Sequence, residues 1–152
     1  MRRGVLPAVL VGLLIGIAVG VGLYTFAYAR GWSYLTDDPA ACANCHVMRE
    51  EFDGWLKSSH RSVASCNSCH TPKNLIAKYY TKASNGFWHS FFFTTGGYPD
   101  NIQIHPGSRE ITEHACRNCH QEIIDAIEAT HPVSSGGQLA CLGCHSSVGH
   151  LQ

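Results

Sequence analysis

The longest apolar segment of the chain lies close to its N-terminus. Residues 5–29 form a run of 25 residues without a charged side chain. As an α-helix this run would extend about 37 Å, which is enough to cross a hydrocarbon core of about 30 Å. The pattern predicts one transmembrane helix, with residues 1–30 as a membrane anchor and residues 31–152 as an extramembrane domain.

The residues that flank this segment predict its orientation. Arg2 and Arg3 precede it and only Arg30 follows closely, so the positive-inside rule places the following domain outside the cytoplasm. A cleaved signal peptide is the alternative, because Ala27-Tyr28-Ala29 matches a small-x-small cleavage site, but the length of the apolar run favours an uncleaved anchor. Three glycines at every fourth residue would leave one helix face open to a homodimer contact: Gly12, Gly16 and Gly20.

All eight cysteines fall into four Cys-x-x-Cys-His motifs. In each motif two thiols can form thioether bonds with the vinyl groups of a haem, and the next histidine can bind the iron. A disulfide framework or zinc sites would not explain a histidine after every second cysteine. We therefore expect four covalent c-type haems, attached at Cys42-Ala-Asn-Cys45-His46, Cys66-Asn-Ser-Cys69-His70, Cys116-Arg-Asn-Cys119-His120 and Cys141-Leu-Gly-Cys144-His145.

The spacing of these motifs predicts the domain organisation. Their first cysteines are 24, 50 and 25 residues apart, which indicates two two-haem halves joined by an insertion at residues 71–110. The roughly 120 residues after the anchor contain no alternating strand pattern. The predicted fold class is mostly α, a multihaem cytochrome c with short helices and loops around four haems, plus one N-terminal transmembrane helix.

The insertion predicts a helix of unusual composition. Thr71 is a suitable N-cap and Pro72 a suitable first residue, and residues 75–93 can continue the helix despite Gly86. Lysines and aromatic residues alternate around it, which is typical of a helix at a membrane lipid interface. Alternatively, the rings only shield haem from solvent. The residues are Lys73, Lys78, Lys82, Tyr79, Tyr80, Phe87, Trp88, Phe91, Phe92 and Phe93.

Six-coordinate haems each need a second axial ligand, and the chain offers several. Met48, the only methionine besides the initiator, follows the first motif as Cys-x-x-Cys-His-x-Met, although an isolated methionine often serves packing instead. The histidines outside the motifs are His60, His89, His105, His114, His131 and His150. Spacing alone does not assign one of them to a particular iron.

Taken together, these features resemble the NapC/NirT family of membrane-anchored tetrahaem quinol dehydrogenases. The resemblance covers nearly the whole chain and rests on the single anchor and on four sequence features. These are Cys42-x-x-Cys45-His46-x-Met48, Ser59-His60 before the second motif, His131-Pro132 after the third, and His150 five residues beyond the last.

The resemblance implies a set of iron ligands. Met48 rather than His46 would be the protein ligand of the first haem. The motif histidines His70, His120 and His145 would bind the other three irons, and the distal ligands would come from His60, His131 and His150. In the short members of this family, one haem is also expected to receive a lysine from the partner subunit.

The resemblance also implies a quinol site beside the first haem. A family quinol dehydrogenase has a lysine and, seven residues later, an aspartate there. Lys82 matches the lysine, whereas position 89 is a histidine. Seven residues are two helical turns, so both side chains share one face. His89 could accept the quinol proton as a neutral imidazole, or it could be a sixth ligand of the first haem, because imidazole binds iron better than a carboxylate does.

The implied function is that of a menaquinol dehydrogenase in the bacterial cytoplasmic membrane, with its haem domain in the periplasm. It would pass electrons to a periplasmic multihaem reductase, with a pentahaem nitrite reductase as the expected partner and a nitrate or TMAO reductase as an alternative. Two other readings are a relay without quinol oxidation and a terminal reductase of a small oxyanion. The 11 basic residues balance the 11 acidic ones, which argues against a nucleic-acid partner.

Overall fold

The computed structural model describes residues 4–99, 101–130 and 139–150. The chain divides into two compact units, Met1–Ser33 and Tyr34–Gln152. Throughout the described residues the regular structure is helical, without a β-strand. The predicted mostly-α fold is therefore confirmed.

The first unit contains the membrane anchor. Helix α1 spans Val5–Tyr28, a length and composition that suit a membrane span, and none of its residues is buried within the protein. A Cβ atom added at Gly12, Gly16 or Gly20 would meet no other atom within 4 Å. The protein is a single-pass membrane protein, and one face of its anchor is free of side chains at these three positions.

The described part of the second unit contains four short helices and two long ones. The short helices are α2 (Pro39–Cys42), α3 (Arg49–Lys57), α4 (Cys66–His70) and α7 (Cys141–Cys144), and the long ones are α5 (Leu75–Thr95) and α6 (Pro106–Thr130). A 3₁₀ turn at Gly31–Leu35 leads into this unit, and a second one covers His46–Met48. Helix α4 packs against α6, α2 contacts both α3 and α4, and α7 contacts α6.

The protein side chains of this unit do not build an ordinary apolar core. Among the described residues, Ile124 is the one large hydrophobic side chain that is buried. The other buried side chains are polar, namely Ser58, Thr71, Lys82 and Thr112. A globular domain normally buries many aliphatic and aromatic residues. This arrangement is the one expected of a chain that wraps around large prosthetic groups.

The start of α5 differs from the sequence-based expectation. The helix begins at Leu75, not at Pro72, and its N-cap is Asn74, whose Oδ1 accepts a hydrogen bond from the Ala77 amide at 3.1 Å. Thr71 instead follows the end of α4, and its hydroxyl donates to the Asn67 carbonyl at 2.7 Å. The expected N-cap was wrong because that threonine is committed to the preceding helix. Gly96 ends α5 with a left-handed φ of 69°, a conformation that glycine adopts without steric cost.

Polar contacts tie the fourth motif to α6. The Glu113 carboxylate accepts hydrogen bonds from the backbone amides of Cys141 (2.8 Å) and Leu142 (3.0 Å). Arg117, one turn later, donates to Glu128 at 2.8 Å and to the Leu139 carbonyl at 2.6 Å. Burial raises the pKa of Glu113, but the amide hydrogen bonds outweigh it, so that this pKa lies below its ordinary value. The carboxylate is therefore the form that holds α7 in place.

The second unit, Tyr34–Gln152, carries all four motifs and is called the haem unit. We expect Glu113→Gln to destabilise it by about 1 to 3 kcal/mol, because the variant loses a charged acceptor for two backbone amides. A carboxylate whose pKa is lowered by folding stabilises the folded state at every pH above its unfolded pKa of about 4.3. This stabilisation is lost as the pH falls through the folded-state pKa. The melting temperatures of variant and parent should differ at neutral pH and converge in acid. An equal difference at every pH would contradict this role.

Candidate haem and quinol site

The second, third and fourth motifs share one local structure. In each, both cysteines lie on a helical turn and the histidine stands at its end. The second motif is the whole of α4, and the fourth consists of α7 followed by His145 with φ −114° and ψ 40°. Within α6 the backbone leaves helical geometry at His120, with φ −113° and ψ 25°. The two thiols of such a turn lie on one face, as attachment to a single haem requires.

The first motif has a different local structure. Helix α2 ends at Cys42, whereas Cys45 is extended, with φ −85° and ψ 121°, and His46 opens the 3₁₀ turn that contains Met48. The His46 ring packs edge-on against Phe93 of α5, with 6.1 Å between ring centroids. The first motif therefore does not present its histidine as the other three do.

The thiols agree with haem attachment and not with the alternatives. All eight cysteines are free of disulfide bonds. Within the described part of the chain, no three or more His, Cys, Asp and Glu residues cluster as a bare metal ion would need. Cys42 lies against Cys66, and this contact and burial raise the pKa of the Cys66 thiol. Cys116 in turn is close enough to Cys69 for their charges to interact, so successive motifs are neighbours in space.

Two pairs of imidazole rings fit six-coordinate haem irons. His60 faces His120 with 6.0 Å between ring centroids, and His70 faces His150 with 5.9 Å. Metal–nitrogen bonds of about 2 Å on opposite sides of one iron place two imidazole centroids about 6 Å apart. Each pair consists of one motif histidine and one histidine from outside the motifs, and an iron fits between its members.

The outer nitrogens of the two distal rings are also engaged. His150 Nδ1 donates to the Glu51 carbonyl at 2.8 Å and lies 3.1 Å from the Glu51 carboxylate. His60 Nδ1 lies 3.3 Å from Ser59 Oγ. A metal-binding histidine usually forms such a bond through one nitrogen while the other binds the metal. In both rings Nε2 is thus the nitrogen left for iron.

Two other histidines that the structure describes, His105 and His114, have different surroundings. His131 lies outside the described residues. His105 Nδ1 accepts a hydrogen bond from the Gly107 amide at 3.3 Å, at the start of α6. His114 is exposed and lines a cavity of about 360 Å³ together with Thr71 and Lys73. Neither His105 nor His114 faces a motif histidine.

One face of α5 lies against the segment that carries the first motif. Five residues of this face are spaced by four, four, three and four positions, which is the spacing of a single helix face. Each contacts a residue in the range 34–46, through ion pairs, ring packing or a hydrogen bond. They are Lys78, Lys82, Gly86, His89 and Phe93. The structure thus brings Lys82 and His89 together beside the first motif.

Lys82 is buried and held by two acceptors. Its Nζ donates to the Thr36 carbonyl at 2.7 Å and to Asp37 Oδ1 at 2.9 Å, while 6% of the side chain is exposed. Lys78 also forms an ion pair with Asp37, and the Asn67 amide donates to Asp37 at 2.8 Å. The hydrogen bonds from Lys78 and Lys82 lower the pKa of Asp37 to about 2. An ammonium group has three donors, and the Lys82 Nζ also lies over the Tyr79 ring, 5.6 Å from its centroid.

His89 has a partner from outside its helix. Tyr34 Oη lies 3.4 Å from His89 Nδ1. Burial lowers the pKa of His89, so its imidazole is neutral at physiological pH. Burial, with the nearby thiols of Cys45 and Cys42, raises the pKa of Tyr34 to about 12. Sequence reasoning missed both Tyr34 and Asp37, since no local pattern links them to residues 41 to 55 positions away.

Another part of α5 carries a continuous aromatic cluster. Trp88 stacks on Phe92 with 5.6 Å between centroids, and Phe87 contacts both Trp88 and Phe91. All four rings are exposed. The lysines and the aromatic rings of α5 therefore have separate roles. Lys78 and Lys82 form ion pairs with Asp37, whereas the four rings are exposed.

The fold and site define a membrane-anchored multihaem c-type cytochrome. A model of the NapC/NirT cytochrome c family, N-terminal region, matches residues 4–152. The chain belongs to this family, and the family expectation and the four c-type haems are thereby confirmed.

The chain is similar to several characterised proteins. The cytochrome c-type protein NrfH of Wolinella succinogenes is 36% identical over 86% of this chain and 79% of its own. The cytochrome c nitrite reductase subunit NrfH of Nitratidesulfovibrio vulgaris is 31% identical over 87% and 77%. A crystal structure of the cytochrome c nitrite reductase NrfHA complex bound to the HQNO inhibitor superposes with a TM-score of 0.64 and 28% identity, covering 90% of this chain and 88% of that one.

Proposed function

We propose that this protein is a membrane-bound menaquinol dehydrogenase that delivers electrons to the catalytic subunit of a cytochrome c nitrite reductase. The observation that carries the proposal is the face of α5 that brings Lys82 and His89 against the segment of the first haem motif. The similarity to two NrfH proteins and to the NrfHA complex supports the partner. The haem unit lies on the periplasmic side, with Arg2 and Arg3 in the cytoplasm.

Other reductases have weaker support as partners. The cytochrome c-type protein TorY of Escherichia coli O157:H7 is 30% identical over 86% of this chain, but the match covers only 42% of its own length. The two NrfH relatives are matched over more than three quarters of theirs. The greater coverage of the two NrfH relatives therefore favours the nitrite reductase as the partner.

The residues that would hold the four haems follow from the geometry above. The eight motif cysteines provide the thioether attachments. His70 and His150 would hold the iron of the second haem, and His120 and His60 that of the third, because these are the pairs whose rings face each other. His145 is the motif ligand of the fourth haem, for which His131 or a lysine of the partner subunit is the distal candidate.

Met48 is the protein ligand of the first haem in this proposal. Two observations support it over His46. The His46 ring is engaged with Phe93, and the Cys45 backbone is extended where the other motifs are helical. Met48 is half-buried two residues beyond His46, in the same 3₁₀ turn. With Met48 as its protein ligand, the first haem would supply the electron acceptor beside the quinol.

Lys82 and His89 perform the quinol chemistry. Oxidation of a quinol to a quinone releases two electrons and two protons, and the haems supply the electron acceptors. The third Lys82 N–H donates to a quinol oxygen and orients the ring. The neutral His89 imidazole takes one proton, passes it to periplasmic water and then takes the second. Asp37 holds the Lys82 side chain in position.

The membrane and a second copy of the chain are further partners in this proposal. The exposed cluster of Phe87, Trp88, Phe91 and Phe92 offers apolar rings to lipid, as expected of a helix at the interface. The open face of Gly12, Gly16 and Gly20 permits close approach of a second α1.

The ligand pairs predict a spectroscopic result. His60→Ala and His150→Ala should each convert one low-spin haem to high spin, because each iron loses an axial ligand. The double variant should convert two, since the pairs belong to different irons. Electron paramagnetic resonance of the purified protein measures these changes, with His105→Ala as a control that keeps all low-spin haems. A double variant with only one converted haem would place both histidines on one iron.

The first haem offers a second prediction. Met48→Leu should perturb one haem spectrum and slow quinol oxidation, because it removes the thioether ligand, whereas His46→Ala should have the smaller effect at the iron. Magnetic circular dichroism of the two variants, with haem content checked by denaturing mass spectrometry, distinguishes them. If Met48→Leu leaves the haem spectra unchanged and His46→Ala removes an iron ligand, then His46 and not Met48 is the protein ligand of the first haem.

Electron entry from quinol provides the third prediction. Lys82→Ala and His89→Ala should each slow haem reduction by menaquinol about 100-fold, the lower range for a lost acid–base or orienting group. Reduction by dithionite should be unchanged. Lys78→Ala is the matched control, because it also removes an ion pair with Asp37 from the same helix face without touching quinol. If both variants oxidise menaquinol at the rate of the parent, the protein is an electron-transfer relay without quinol oxidation of its own at this site.

The pH dependence identifies the proton acceptor. Since burial lowers the pKa of His89, the parent should lose quinol oxidation only when the pH falls below the ordinary histidine value of about 6.5. This limb of the profile should vanish in His89→Ala. If His89 is instead an iron ligand, the same variant will turn the first haem high-spin in the absence of quinol.

A further inference from the structure

Tyr34 occupies a specific place between the first haem motif and α5. It lies in the 3₁₀ turn Gly31–Leu35, and its ring rests on the backbone of α5 at Gly86. Its hydroxyl oxygen lies 3.4 Å from His89 Nδ1, less than one helical turn further along. The ring is thus in contact with the helix that carries His89, and its polar end points at the imidazole.

The Tyr34 ring lies in van der Waals contact range of position 86. A Cβ atom added at Gly86 would lie 3.4 Å from the ring, so an alanine would fit against it. A longer side chain directed at the ring would have to displace it. This contact keeps the phenol within reach of His89.

An imidazole that acts as a proton acceptor needs its tautomer defined. A neutral ring carries one N–H and one lone pair, and the hydrogen bond made by one nitrogen decides which nitrogen is basic. A carboxylate has two equivalent oxygens and no such requirement. The nitrogen of His89 that faces Tyr34 is Nδ1, so a proton on Nδ1 would leave the lone pair on Nε2.

We propose that Tyr34 is a positioning residue for quinol oxidation, whose phenolic oxygen accepts the His89 Nδ1–H and so holds the imidazole with a basic Nε2. This inference rests on the proposed function. When quinol reacts, its O–H bond breaks and an Nε2–H bond forms, while the electrons leave to the haems. The Nδ1–H stays bound to Tyr34 throughout, and the imidazolium then returns the Nε2 proton to water.

Tyr34→Phe tests the proposal, because it keeps the ring on Gly86 and removes only the hydroxyl. We expect kcat for menaquinol oxidation by the detergent-solubilised holoprotein to fall about tenfold with KM unchanged, as for the loss of one orienting hydrogen bond. Haem content and reduction by dithionite should equal those of the parent. Tyr80→Phe removes a hydroxyl from an exposed position of α5 and should leave kcat unaltered.

A double variant shows whether Tyr34 acts through His89. In a His89→Ala background, Tyr34→Phe should cause no further loss, since the ring that it orients is gone. Gly86→Leu, which displaces the Tyr34 ring but retains its hydroxyl, should lower kcat in the same way as Tyr34→Phe. A kcat equal to that of the parent in either Tyr34→Phe or Gly86→Leu overturns the proposal. It is also overturned if Tyr34→Phe lowers kcat as much in the His89→Ala background as in the parent.

The outcome separates this inference from the function on which it rests. If His89→Ala and Lys82→Ala slow quinol oxidation but Tyr34→Phe does not, the dehydrogenase stands and the positioning role is wrong. If none of the three variants changes quinol oxidation, the assignment of the quinol site is wrong, and the proposed role of Tyr34 is wrong as well.

Discussion

Covalent attachment of four haems to about 120 residues is the constraint on which the rest of the structure depends. Each attachment needs two thiols one helical turn apart and a ligand at the end of the turn, so helices α2, α4 and α7 are short and end within a motif. The haem macrocycles take the place of an apolar core. This is why the described side chains bury a single large hydrophobic residue, Ile124.

Two polar assemblies connect the motif segments in place of an apolar core. Asp37 gathers Lys78, Lys82 and the Asn67 amide, which joins the segments of the first two motifs to α5. Glu113 and Arg117 hold the fourth motif against α6. Exposed ion pairs contribute only about 0 to 1 kcal/mol to stability, but a buried ammonium such as that of Lys82 needs its partners. Both assemblies orient the motifs, and the amide hydrogen bonds of Glu113 also stabilise the fold.

The first motif differs from the other three for a reason that the site makes clear. In the later motifs the histidine closes a helical turn and, in two of them, faces a second imidazole. In the first, His46 rests on Phe93, and the same face of α5 presents Lys82 and His89 alongside. In the proposed function, the two histidine pairs would give two six-coordinate haems for electron transfer, whereas the first motif lies beside the residues proposed for quinol oxidation.

Local patterns in the sequence were sufficient for the anchor, the four haem attachments, the mostly-α fold and the shared face of Lys82 and His89, because each depends on residues within one or two helical turns. Tertiary structure decided what depends on distant residues. Thr71 was assigned to the wrong helix, since its hydroxyl binds a carbonyl of α4. The pairing of His60 with His120 and of His70 with His150 joins positions 60 and 80 residues apart. Asp37 and Tyr34 contact α5 across 41 to 55 positions of the sequence. The periodicity of a sequence does not predict contacts between such distant residues.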